Sequence, residues 1–243
     1  ARRQAARRAD GATREGCMNA VPLRRHDLVW LDPASDAGAF AAVEQAEHAR
    51  SWVQQGRPLV VARQSDAQAK QDDQLNLGFT LPSAPARTRI ALRAPRAAII
   101  RHSRPLLLPD AIGHAPHGWR DGMSSLHELC TKAGTVARVY GSLSSQAYSG
   151  ETYVDAASDL DLLLECGMHT KLEELLAALE KFPVQPLRID GEILAPTGWA
   201  VAWRELAAAL RAATPCKVLA KSDCDARLIS VEQFFNTTLA LAV

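Results

Sequence analysis

Two short stretches carry the residues that could do chemistry. Val136 to Tyr140 alternates as a buried strand would, and Gly141-Ser142 follows it with a turn whose backbone N–H groups can point at a phosphate. Further on, Asp159 and Asp161 stand two apart in the run Ser158-Asp159-Leu160-Asp161-Leu162-Leu163-Leu164. If that run is a strand, both carboxylates leave one face while Leu160, Leu162 and Leu164 take the other.

Carboxylates one strand repeat apart lie roughly 7 Å from each other at the backbone, close enough for their side chains to converge. They then raise each other's pKa and repel unless a cation joins them, and carboxylate oxygens suit magnesium or manganese. A solvated edge strand carrying two acids is the plain structural alternative. The Gly-Ser turn one strand earlier favours the metal, and so does a third run, Leu187 to Leu194, whose alternation puts Arg188, Asp190 and Glu192 on one face with Ile189 and Ile193 opposite. Asp190 is the first choice for a third carboxylate and Glu192 the second. Arg188 and Lys221 are placed to neutralise phosphate oxygens, although a surface ion pair would explain each equally well.

Composition narrows the partners. The chain has 243 residues, 47% of them hydrophobic, enough for a large domain or two small ones. Its net charge is only +1, and residues 1–17 hold five arginines against Asp10 and Glu15, so the rest of the chain is slightly acidic. Such a body is not built to neutralise a long nucleic acid, whereas small phosphorylated ligands remain open. The arginines at 87, 89, 93, 96, 101 and 104 form the most basic stretch, explained by a solvated strand face or by an acidic protein partner or polyphosphate. Five cysteines without a C-x-x-C spacing indicate neither a disulfide framework nor a zinc site and suit the cytoplasm. No apolar run approaches a membrane span. His114 and His117 lack a third soft ligand nearby and are not read as a metal site.

The elements that must position these residues follow from periodicity. Residues 1–18 read as a flexible extension. Residues 19–96 read as a small α+β domain: a strand at His26–Leu31, a helix from Phe40 through Trp52 closed by Gly56, strands at Pro58–Ala62, Leu77–Leu81 and Arg89–Arg93, and a polar loop at Gln64–Gln74. Residues 97–243 read as the catalytic domain. There Pro109–Gly122 reads as loop, Ser124 or Ser125 as the cap of a helix, and Thr170 with Glu173 as a capping box before the leucines at 172, 175, 176 and 179. Ala200–Arg211 reads as helix, Cys216–Ala220 and Arg227–Ser230 as paired strands, and Val231–Leu241 as a terminal helix.

A Gly-Ser turn after a strand, D-x-D on the next strand and an acid on another resemble the polymerase-β type of nucleotidyltransferase. The resemblance implies an α+β catalytic domain with a mixed sheet and flanking helices, in which the turn holds a triphosphate and three acids hold magnesium. More of the text narrows it. Arg25-His26-Asp27-Leu28-Val29-Trp30-Leu31, Gly56-Arg57-Pro58-Leu59-Val60-Val61, Arg138-Val139-Tyr140-Gly141-Ser142, Asp190-Gly191-Glu192, Val201 to Glu205 and Lys217 to Lys221 together are similar to the malonate decarboxylase holo-[acyl-carrier protein] synthases, the phosphoribosyl-dephospho-CoA transferases. Leu143-Ser144-Ser145 stands where a bulky aromatic is expected. The resemblance implies that a serine of an acyl-carrier subunit attacks 2'-(5''-triphosphoribosyl)-3'-dephospho-CoA and pyrophosphate leaves. It implies metal ligation by Asp159 and Asp161 with Asp190 or Glu192, Asp190 as possible base for the serine, and triphosphate binding by Gly141 and Ser142, aided by Arg188 and Lys221. The other readings are a nucleotidyltransferase acting on RNA or protein with an ordinary nucleoside triphosphate, and an inactive nucleotide-binding or carrier-docking module.

Overall fold

The computed structural model describes residues 22–64, 73–82, 88–183 and 186–236. The expected extension at 1–18, most of the polar loop at 64–74 and Arg87 lie outside the described residues. Two sheets organise the rest.

The first contains β1 (Leu28–Leu31), β2 (Leu59–Val61), β3 (Gln74–Thr80), β4 (Arg89–Pro95) and β5 (Ile99–Ser103), in the order β4-β3-β2-β1-β5, with antiparallel neighbours throughout. Its apolar face is covered by α1 (Ala46–Gln54), whose Trp52 stacks on Phe79 at 4.3 Å between ring centres. On β4 the arginines at 89 and 93 are exposed and Ile90, Leu92 and Ala94 buried, as the alternation requires. β5 continues this sheet beyond residue 96. Val29 pairs with His102 and Trp30 with Arg101, so the first sheet extends to Ser103.

The second sheet runs β12-β11-β10-β9-β8-β7-β6 and is mixed. Its strands are β6 (Leu106–Leu107), β7 (Thr135–Val139), β8 (Leu160–Cys166), β9 (Ile189–Leu194), β10 (Ala200–Ala202), β11 (Lys217–Lys221) and β12 (Ala226–Ser230). Only β8 and β9 run parallel among these neighbours. A parallel pair needs a crossover, here supplied by a helix (Leu172–Lys181) that buries Leu175, Leu176 and Leu179. In chain order the helices after α1 are α2 (Leu108–Ala111), α3 (His117–Ala133), α4 (Gly141–Ser149), this crossover helix α5, α6 (Trp203–Arg211) and α7 (Val231–Phe235). Their apolar stripes share one core with Leu160, Leu162 and Leu164 of β8.

Several local expectations change. The segment read as loop over Pro109–Gly122 contains α2 and the first turns of α3, which opens after Pro116 rather than at Ser124 or Ser125. Gly118 and Gly122 sit inside α3 because the Pro186-Leu187 segment packs there; a Cβ at position 122 would meet Leu187 Cδ2 at 3.1 Å. Thr170 does not cap α5. Its hydroxyl donates to the Gly134 carbonyl at 2.8 Å and accepts from the Gly167 N–H at 2.9 Å. Residues 200–202 are strand, so helix begins only at Trp203. Ser230 and Gln233 form a capping box for α7, and the continuation expected beyond Asn236 lies outside the described residues.

Candidate active site

β7 ends at Val139, Tyr140 continues extended, and its N–H donates to the Asp161 carbonyl at 3.1 Å. Gly141 then adopts φ +67° and α4 begins. This glycine is required twice over: the backbone is left-handed, and a Cβ built on it would fall 2.0 Å from Asp161 Oδ2. The Asp161 carboxylate therefore lies directly against the start of α4, whose first N–H groups have no partner within the helix.

Asp190 is the register partner of Asp161 across the parallel β8–β9 pair. Neighbouring strands are about 4.8 Å apart and register partners share a face, so the two acids stand side by side. Asp190 is exposed and Asp161 half-buried. Next along β9, Gly191 has φ +133°, and a Cβ there would lie 2.0 Å from the Leu162 carbonyl oxygen. Only glycine lets the strands close at that point.

Asp159 lies one residue before β8, and its Oδ1 receives Arg188 Nε at 2.7 Å. Arg188 also donates to the Ala157 carbonyl. The acid expected to hold a metal and the arginine expected to neutralise phosphate thus hold each other.

Glu192 occupies a different environment from the one its strand position suggested. It is 5% exposed, bridged by Arg25 and by Lys221 Nζ at 2.9 Å, with His26 Nε2 at 3.7 Å. Burial pushes its carboxyl up, but His26, Arg25 and Lys221 outweigh this and hold it well below the ordinary carboxylate range. It is a neutralised structural charge joining the two sheets, and Lys221 belongs to that cluster.

The first sheet reaches the site through the segment before β1. His26 has φ +73°, and its ring stacks on Tyr140 with centres 4.1 Å apart. At 3.7 Å its Nε2 is too far from Glu192 for a hydrogen bond, and that atom has no hydrogen-bond partner among the described residues. Burial lowers the His26 pKa, as do Arg25 and Lys221, against the opposing pull of Glu192, so the ring is neutral at pH 7. Burial raises the Tyr140 pKa, followed by the carboxylates of Glu192, Asp161 and Asp190. That phenol stays protonated amid the acids.

Arg104 reaches Asp27 Oδ1 at 2.6 Å and also pairs with Glu165, to which Arg138 Nε adds a contact at 3.0 Å. The periodicity argument missed Arg25, His26 and Arg104, since parity places a side chain on a face without saying what covers it. The phrase beginning Arg25-His26 carried the signal.

Among the described residues no three His, Cys, Asp or Glu side chains are gathered as a metal site, His114 and His117 included. Asp161 and Asp190 nevertheless present adjacent hard oxygen donors of the kind magnesium prefers, with Asp159 the next acid on that face.

Comparison with known proteins fits this two-part layout. Residues 24–105 match the phosphoribosyl-dephospho-CoA transferase MdcG N-terminal domain and residues 106–232 its C-terminal domain. The junction falls between β5 and β6. The phosphoribosyl-dephospho-CoA transferase of Xanthomonas campestris pv. campestris (strain 8004) is 40% identical over 185 residues, covering 75% of this chain and 85% of that protein. The protein of that name from Bradyrhizobium diazoefficiens is 32% identical over 191 residues, 76% of this chain and 82% of its own length. No solved structure matches. With both domains matched in order and the identity sustained across most of the chain, it belongs to the phosphoribosyl-dephospho-CoA transferase family.

Proposed function

We propose that the chain transfers phosphoribosyl-dephospho-CoA from 2'-(5''-triphosphoribosyl)-3'-dephospho-CoA to a serine of the malonate decarboxylase acyl-carrier subunit, releasing pyrophosphate. Family membership supports the transferase chemistry, and the observation that carries the rest is the Asp161 carboxylate seated against the left-handed Gly141 at the head of α4. A triphosphate laid along that turn meets the head of α4 at its outer phosphates and the Asp161–Asp190 pair at the phosphorus to be attacked.

In this reading the polymerase-β-like part is the second sheet with its flanking helices. Asp161 and Asp190, with Asp159 once it exchanges Arg188 for a cation, would hold magnesium or manganese, and Glu192 would not. When bound, such an ion neutralises phosphate oxygens and favours the ionised form of the attacking hydroxyl. Gly141 and Ser142 hold the outer phosphates in line for departure. Asp190, exposed beside Asp161, is placed to accept the proton of the carrier serine. Arg188, freed from Asp159, would follow the charge that develops on the leaving pyrophosphate. The serine oxygen bonds to the α-phosphorus as the bond to the bridging oxygen of pyrophosphate breaks, leaving the carrier with a phosphodiester.

The test is the mass of the carrier. Purified chain, magnesium, the CoA-derived triphosphate and apo carrier should give a carrier heavier by one phosphoribosyl-dephospho-CoA. A carrier of unchanged mass, with labelled nucleotide from ATP or CTP appearing on RNA or protein instead, would overturn the assignment.

A further inference from the structure

A half-open cavity of about 600 Å³ lies between the second sheet and the segments that flank the first, Pro22–His26 and Arg104, and the reaction described above does not use it. Its floor includes Leu163, Leu194 and Ala200 from the second sheet. Leu163 lies on the same face of β8 as Asp161, two residues further on, so the floor begins about 7 Å along the strand from the carboxylate pair. Here Leu163, Leu194 and Ala200 add apolar surface to a face that also carries Glu192 and Glu165. The walls carry cations from both parts of the chain, Arg24, Arg25 and Arg104 from the first and Lys221 from the second, with the carboxylates of Glu165 and Asp223 between them. His26 stands among them with its ring on Tyr140, between the cavity and the Gly141 turn.

Most of these cations already touch a carboxylate, but their donor capacity is not used up. A guanidinium carries five N–H groups and an ammonium three, more than Glu192, Asp27 and Glu165 accept from them. Arg24 is exposed; its backbone N–H donates to Asp27 Oδ2 at 2.8 Å, and its guanidinium forms no ion pair among the described residues. Walls of this kind around an apolar floor suit a ligand with an aromatic or aliphatic body and an anionic diphosphate. The volume fits a nucleotide-sized group. The cavity is also preformed, since the Gln64 N–H donates to the Asp223 carbonyl at 2.7 Å and the Arg25 N–H to Asp223 Oδ1 at 2.8 Å across the two parts.

We propose that this cavity binds the dephospho-CoA limb of the donor, its adenosine on the Leu163–Leu194–Ala200 floor and its diphosphate against Arg24, Arg25 and Lys221, while the triphosphate end reaches past His26 to Gly141. The proposal rests on the transfer reading above. It gives the first domain a role in choosing the donor: an ordinary nucleoside triphosphate occupies the turn but leaves the cavity empty.

Titration calorimetry on the full chain tests it with dephospho-CoA and, separately, pyrophosphate. Dephospho-CoA should bind the unaltered chain, and Ala200→Phe, which fills the floor, or Arg24→Glu, at an exposed position that does not threaten folding, should weaken it roughly ten-fold or more while pyrophosphate binds as before. In the transfer assay both variants should raise the donor KM and leave kcat within about three-fold. Failure of dephospho-CoA to bind the unaltered chain, or equal binding by the folded variants, overturns the proposal. Transfer at unchanged KM in both variants would refute the cavity and keep the transferase. Dephospho-CoA binding that the variants abolish, with no transfer to the carrier, would do the reverse.

Discussion

Replacing Gly141 by alanine separates the turn's role in the reaction from its role in the fold. The left-handed backbone alone costs an L-residue about 1–2 kcal/mol. The new Cβ would also sit 2.0 Å from Asp161 Oδ2, 2.9 Å from its Cγ and 3.2 Å from its Cβ. The overlap thus grows toward the tip of the aspartate, and rotation about the Asp161 side-chain bonds relieves most of it without moving β8. The expected stability loss is then little more than the backbone cost, a fall in Tm of about 2–8 °C. The carboxylate, however, must swing away by more than 1 Å, a displacement that lowers kcat about 100-fold or more. Gly150→Ala is the control, because Gly150 has φ +73° with nothing within 4 Å of a Cβ. It should lose comparable stability and keep its activity. Carrier modification followed by mass spectrometry, with Tm measured on the same samples, compares the pair. Equal activity losses in Gly141→Ala and Gly150→Ala would refute the placement of Asp161 at the phosphate turn.

Asp161→Asn and Asp190→Asn should each abolish carrier modification with the circular dichroism unchanged, and retained transfer in either would remove that residue from the reaction. Glu192→Gln should instead act on stability, about 2–4 kcal/mol in urea unfolding, because Arg25 and Lys221 lose their shared counter-charge. Since the folded Glu192 pKa lies below its ordinary 4.5, the stability it contributes is present above that pH and is lost as pH falls below it; Glu192→Gln should flatten that acid limb. Tyr153→Ala should cost about 3–4 kcal/mol, because this ring from the loop after α4 is 4% exposed in the core of the first domain and its hydroxyl donates to the Thr80 carbonyl at 2.7 Å. Among the described cysteines, a thiol reagent should label exposed Cys216 and Cys224 in the native chain and Cys130 only on unfolding, since burial pushes the Cys130 thiol up to about 12.

Strand parity in the sequence was enough to align Asp161, Asp190 and Glu192 on one face, because side chains alternate wherever a strand forms. It was not enough to separate Asp190 from Glu192, for the difference lies in what covers them: solvent over the first, Arg25 and His26 over the second. The same limit explains the helix errors. Thr170 had the residue types of a capping box, yet its hydroxyl is taken by Gly134 and Gly167, groups brought there by the sheet. Gly118 and Gly122 read as helix breakers because glycine is a poor helix former, while the space they leave is filled by Pro186 and Leu187, far along the chain. The serine-rich α4 has little intrinsic helical tendency. Burial of Leu143 and the edge-on contact of Tyr148 with Trp30, 5.8 Å between ring centres, hold it from outside.

These contacts share a direction. The first domain touches the second at Tyr148, Glu151 and Tyr153 on and just after α4, at Tyr140, at Glu192 and Glu165, and at Asp223. In the reading proposed above its charged residues lie where a long anionic donor would run, and its removal would leave Glu165 and Glu192 without Arg104 and Arg25. The acids at Asp161 and Asp190 would survive that loss unchanged in sequence. What would go, on the proposed reading, is the partition of one sheet face into a reacting end and a holding end, and with it the means of telling the CoA-derived donor from a plain triphosphate.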